Sequence, residues 1–149
     1  MKVERLRLVV EETEAAEWAV RALGGQDAIT GVRIGFESHA VIFEGCIRIP
    51  LAGEVPFRTV WTVELDVGGR VILHLAQAAA FGWSGGSGFL AGLIMHKIDS
   101  RLAGRPGVEI SGDSLILDPA SLLAGLPVAV RIRVAAVTTE PGRLILEAG

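Results

Sequence analysis

Apolar residues recur along this chain at two spacings, and the places where one spacing gives way to the other predict the elements. Residues 2–10 alternate, with Leu6, Leu8 and Val10 on one side and Arg5 and Arg7 on the other, which predicts a half-buried strand. Thr13 then offers a hydroxyl as an N-cap, acids crowd the following turn, and Ala16, Ala19, Val20 and Leu23 repeat at helical spacing. Gly24-Gly25 is expected to end that helix. From Ile29 to Phe81 the period is two. Val32, Ile34 and Phe36 share a face, and after a turn near Ser38 so do Val41, Phe43, Gly45, Ile47 and Ile49. A longer run follows, in which Val55, Phe57, Thr59, Trp61, Val63, Leu65 and Val67 oppose Arg58, Thr62, Glu64 and Asp66. A run of this length is about twice the usual strand of five or six residues. Gly68-Gly69 suits a hairpin turn, and the return strand is expected to turn Val71, Leu73, Leu75, Gln77, Ala79 and Phe81 to one face.

Beyond the glycine-rich connector GWSGGSG the period changes to helical, with Leu90, Ile94, Ile98 and Leu102 at intervals of four over about Phe89 to Leu102. Gly104, Arg105, Pro106 and Gly107 stop that helix. Two short alternating pieces, VEISGD and SLILD, flank a turn at Ser111 to Asp113. Pro119 to Leu123 is expected to form one helical turn, and Val128, Val130, Ile132 and Val134 oppose Arg131 and Arg133 on another strand. Pro141-Gly142 makes a turn, and Leu144 and Leu146 lie on the closing strand. The strands are not interleaved with helices in a βα rhythm, so the order predicts an α+β fold on an antiparallel sheet.

A chain of 149 residues suits one domain, taken as residues 1–149, with a real core. Half of its residues are hydrophobic and 21% are charged, which excludes disorder. Seventeen acidic against fourteen basic side chains give a net charge of -3, and no arginine-rich run with interleaved aromatics occurs. Nucleic acid is therefore not an expected partner. The N-terminus MKVERLRLVVEETE reaches acidic residues within a few positions and carries no long apolar run, so it does not read as a secretory signal. With Met1 as the natural start, the expectation is a cytoplasmic protein. Cys46 is the only cysteine, which leaves no internal disulfide or thiolate zinc cage. His39, His74 and His96 are not at metal-ligand spacing, and no carboxylate cluster joins them. Neither a metal nor another cofactor is expected.

The stretch from Val71 to His96 contains no Asp, Glu, Lys or Arg. It is long enough to cross a bilayer, but WSGGSG at its centre breaks any helix, and its halves differ in period. Gly82-Trp83-Ser84-Gly85-Gly86 matches G-x-S-x-G between a strand and a helix, the setting of a nucleophile elbow. That arrangement needs an acid and then a histidine later in the chain, whereas the last histidine is His96, on the next helix. GGSG also lacks the lysine of a P-loop. The remaining reading makes the stretch one wall of an apolar cavity, in which Leu73, Leu75 and Phe81 line a strand face. A helix beginning FLAGLIM then folds back over them and offers Phe89, Leu90, Leu93 and Ile94. A helix apolar nearly all round must be buried on more than one side or must touch something apolar that is not the protein.

The order of elements resembles the bacterial LmeA-like phospholipid-binding proteins of the tubular lipid-binding (TULIP) superfamily. The resemblance is carried by GVEISGDSLILD, Gly107 to Asp118, and by the closing PGRLILEA, Pro141 to Ala148. It implies a long, strongly curved antiparallel sheet wrapped around a long helix, a half-pipe whose lining accepts acyl chains. On this reading the ligand-binding residues are Phe57, Trp61, Leu73, Phe81, Trp83, Phe89, Leu90, Leu93 and Ile94, with Ser84, Ser87 and His96 as polar groups at the groove mouth. Arg5, Arg7, Arg58, Arg131 and Arg133 are available for anionic head groups or for a solvated face. The expected partner is a lipid or another apolar small molecule, with peripheral membrane contact and a homodimer also open, and binding requires no catalysis. The alternative is a ligand-free interaction module whose apolar surface is covered by a second copy or by a protein partner. An enzyme comes third and needs Ser84 beside a base.

Overall fold

Alternating residues in the first half of the chain form β1 (Leu6–Glu11), β2 (Thr30–Glu37), β3 (Ala40–Ile49), β4 (Gly53–Leu65) and β5 (Val71–Ala80). The second half supplies β6 (Val108–Ser111), β7 (Ser114–Leu117), β8 (Val134–Glu140) and β9 (Arg143–Ala148). Among the described residues two helices, α1 (Glu12–Leu23) and α2 (Ser87–Leu102), accompany the strands. The computed structural model describes residues 6–23, 29–49, 53–80, 87–119 and 134–148. The architecture is α+β and antiparallel, as the sequence predicts. A six-stranded sheet runs β2-β3-β4-β5-β7-β6, and a three-stranded sheet runs β1-β9-β8. Because β7 rather than β6 pairs with β5, the hairpin after α2 enters the large sheet by its second strand and leaves β6 at the edge. The small sheet abuts the large one near β2 and β4, and the Gly142 amide at its turn donates to the Phe36 carbonyl at 3.0 Å.

The core lies on the inner face of the large sheet. There Phe36, Val41, Phe43, Ile47, Val55, Phe57 and Trp61 meet Leu90, Ile94, Met95, Ile98 and Leu102 of α2 and Ala22 and Leu23 of α1. The Phe43 and Phe57 rings sit 5.5 Å apart in a tilted arrangement. Thr59, fully buried at the centre of β4, donates its hydroxyl to the Phe43 carbonyl at 2.8 Å and accepts the Trp61 indole N–H at 2.8 Å. A polar residue is thus held in an apolar face with both hydrogen-bonding roles filled.

Four local readings change in the structure. The first helix starts at Glu12, so Thr13 lies inside it, and the Glu14 carboxylate takes over the capping role by accepting from the Glu11 amide at 3.3 Å. Its buried seam is Ala19, Ala22 and Leu23, with Ala15 packed alongside, while Val20 points outward at 51% exposure. The β4 strand ends at Leu65 instead of running to Val67. Asp66 Oδ1 accepts from the Gly68 and Arg70 amides, each at 2.9 Å, which bends the chain out of the ladder early and leaves Val67 96% exposed. In β5, Trp61 pairs with Leu75 but Val60 pairs with Gln77, so Ala76 is an extra residue in a β-bulge. The parity flips there: Ala78 and Ala80 turn to the core, and Gln77 and Ala79, expected inside, are exposed. The expected helical turn at Pro119 to Leu123, apart from Pro119 itself, and the strand residues Val128 to Arg133 lie outside the described residues.

Candidate functional site

An apolar groove opens beneath the large sheet, between its inner face and the two helices. Its floor is Ile34 and Phe36 of β2, Val41 and Phe43 of β3, Trp61 and Val63 of β4, Val71 and Leu73 of β5, and Leu115 and Leu117 of β7. One wall is α1 through Ala15, Trp18, Ala19 and Leu23, and α2 contributes Ile98 and Leu102 from its C-terminal half. Val10 of β1 and Leu144 of β9 close the end next to the small sheet. The groove's volume is about 400 Å³, within the range of roughly 300–1,000 Å³ that small-molecule sites occupy. Among the described lining residues Glu14 alone carries a charge. The Trp61 indole N–H is already donated to Thr59, so it offers nothing to a guest.

The local sequence explains this geometry. Period two from β2 to β5 supplies one continuous apolar face. The α1 helix presents small residues, Ala15 and Ala19, where larger ones would fill the space, and α2 is buried in the core at Leu90 and Ile94 and reaches the groove only through Ile98 and Leu102. Of the residues expected to contact a ligand, Trp61 and Leu73 line the groove. Phe57, Leu90 and Ile94 are core side chains that the groove does not reach, Leu93 is half-buried against the same core, and Phe89 is 59% exposed. Phe81, Trp83 and Ser84, with the G-x-S-x-G motif, lie outside the described residues. Ser87 begins α2, its side chain undescribed, and His96 is exposed on that helix. The wall formed by α1 was not foreseen. Its signal was Trp18, an aromatic on an otherwise acidic helix, at the spacing that joins it to Glu14 and Ala15.

Other chemistry-bearing groups lie away from the groove. His74 bridges strands, with Nδ1 2.6 Å from Ser114 Oγ and Nε2 2.6 Å from Glu64 Oε1. The residue types are those of a hydrolase triad, but each of the three side chains stands on the large sheet opposite the face that bears Leu73 and Leu115, and none borders the groove. A cross-strand polar ladder accounts for the arrangement. Arg58 is paired with Glu44 at 3.4 Å and Glu37 at 4.0 Å, Arg7 is exposed on β1, and Arg5, Arg131 and Arg133 lie outside the described residues. Cys46 is half-buried in β3. Among the described residues no group of three or more His, Cys, Asp or Glu side chains is placed to hold a metal ion, and no helix is long and apolar enough to cross a membrane.

The fold and site define an α+β domain with an apolar groove between an antiparallel sheet and two helices. No family model, curated protein or solved structure matches the chain.

Proposed function

We propose that this protein binds an apolar ligand, a phospholipid or another molecule with a fatty acyl chain, in the groove between the large sheet and the helices, and does so without catalysis. One observation carries the reading: the described lining draws on nine elements and is apolar throughout except at Glu14. Solvent filling such a space would find few partners, whereas each methylene a guest buries contributes about 0.8 kcal/mol. The resemblance to the LmeA-like proteins points the same way, with the large sheet as the half-pipe and α2 as the helix it wraps. On that reading the long β3, β4 and β5 strands serve to make the apolar face deep enough for a chain.

Native mass spectrometry of the purified protein, stepped from gentle to denaturing conditions, tests the proposal. The expected result is excess mass that is released on unfolding and fragments as a lipid. Ala15→Trp, which pushes an indole into the groove, is expected to abolish the adduct while the protein stays folded. A bare polypeptide mass that incubation with phospholipids and fatty acids does not change would sink the reading. Trp18, 44% exposed at the mouth of the groove, favours a second reading, a homodimer that covers that mouth. A bare mass of twice the chain would select it.

A further inference from the structure

We propose that the groove selects amphiphiles with a single long apolar chain and a cationic amine head group, held at a rim built by Glu14 and Trp18. This rests on the groove being a ligand site. Its interior offers a head group nothing: the Trp61 N–H is donated to Thr59, and the Thr59 hydroxyl proton goes to the Phe43 carbonyl. A polar head must therefore stay where the lining meets water. Among the described lining residues only Glu14 and Trp18 are exposed. They lie four apart on α1 and so stand one above the other on the same face of the helix. A carboxylate beside an indole face is complementary to an ammonium group, which the first attracts by charge and the second by its ring quadrupole. Glu11 and Glu17 add negative potential beside the rim, and Arg21, three residues beyond Trp18, offsets part of it, so an ammonium head is favoured there over a carboxylate or phosphate one. Of the ligand classes proposed above, the rim therefore selects single-chain amphiphiles over phospholipids. A volume of about 400 Å³, near the small end of ligand sites, fits one chain better than two.

The test compares dodecylamine, dodecanol and dodecanoate, which share a chain length and differ in head charge. Each is titrated below its micellar concentration or solubility limit into the full chain at pH 7, following tryptophan fluorescence, since Trp18 and Trp61 both border the groove. The expected order of affinity is amine, then alcohol, then carboxylate, with about tenfold between the extremes, as suits a partly solvated charge contact. Glu14→Gln keeps an oxygen for the Glu11 amide and is expected to bring amine and carboxylate within about twofold. Glu14→Lys reverses the order, and Glu54→Gln, which removes an equal charge from β4, leaves it as it was. If dodecanoate binds as tightly as dodecylamine, or tighter, head-group selection is wrong and the groove remains a ligand site. If none of the three binds, the groove itself is not a ligand site and both readings fall.

Discussion

Two buried threonines show how far a single hydroxyl's surroundings decide its effect. Thr59 fills a donor and an acceptor role between Phe43 and Trp61, so Thr59→Val strands the indole N–H in the core and is expected to destabilise by about 1–3 kcal/mol. Thr139 on β8 is also buried, yet its Oγ1 has no partner among the described residues. Thr139→Val removes a buried polar atom at nearly constant shape, and is expected to be neutral or to stabilise by about 1 kcal/mol. Urea denaturation of both variants checks the pair; equal losses at the two sites would contradict this account. Alternation marks Thr59 as inward-facing, whereas continuing the alternation that ends at Val134 would turn Thr138 inward, and the register shift between Val134 and Ala136 buries Thr139 instead. Only the placement of neighbours separates a satisfied hydroxyl from an orphaned one.

At the scale of elements, turns and close approaches decide register. A side chain on Gly45 of β3 would place its Cβ 2.9 Å from Ile29 Cγ2, 3.1 Å from the Thr30 carbonyl oxygen and 3.2 Å from the Phe57 ring. The backbone contact cannot swing aside, and Gly31, at φ +62°, already forms a bulge in β2 next to it. Gly45→Ala is expected to cost about 1–3 kcal/mol, read as a lowered urea midpoint at an unchanged slope. The β4–β5 turn makes a prediction in pH. Asp66 accepts from the Arg70 amide, the Arg70 guanidinium and the Gly68 amide, and these contacts hold its carboxyl below the ordinary 3.8. A carboxyl depressed by folding leaves the unfolded chain with more bound protons, so the stability it gives is present above the ordinary value and is lost as pH falls below it. The midpoints of the native chain and Asp66→Ala are expected to differ at pH 7 and to converge towards pH 2.5; a constant gap would show that the turn does not titrate. The bulge at Ala76 belongs to this scale too. The letters of β5 give no hint of an extra residue, which is why alternation assigned Gln77 and Ala79 to the wrong face.

For the whole molecule, the groove exists because walls from distant parts of the chain fail to fill the space between them. If the proposed ligand site is correct, an amphiphile at a hundred times its dissociation constant adds about 2.7 kcal/mol to the folded state and raises the melting temperature by roughly 5–10 °C. Ala15→Trp should melt without responding to the same amphiphile. A shift of equal size in both proteins would place the binding elsewhere.

Periodicity alone determined the antiparallel α+β character, the inward faces of β2, β3 and β4 and the i, i+4 core stripe of α2, because each depends on residues near one another in sequence. Tertiary structure decided what those faces do. Leu90 and Ile94 read from sequence as Ile98 and Leu102 do, yet the first pair is packed in the core away from the groove and the second borders it. The rim of Glu14 and Trp18 depends on which way α1 turns, a choice made when its alanines meet β2 and α2. A hydrophobic residue carries its tendency to be buried in its own chemistry. Whether it meets another side chain or an empty groove depends on volumes summed over strands and helices far apart in the chain.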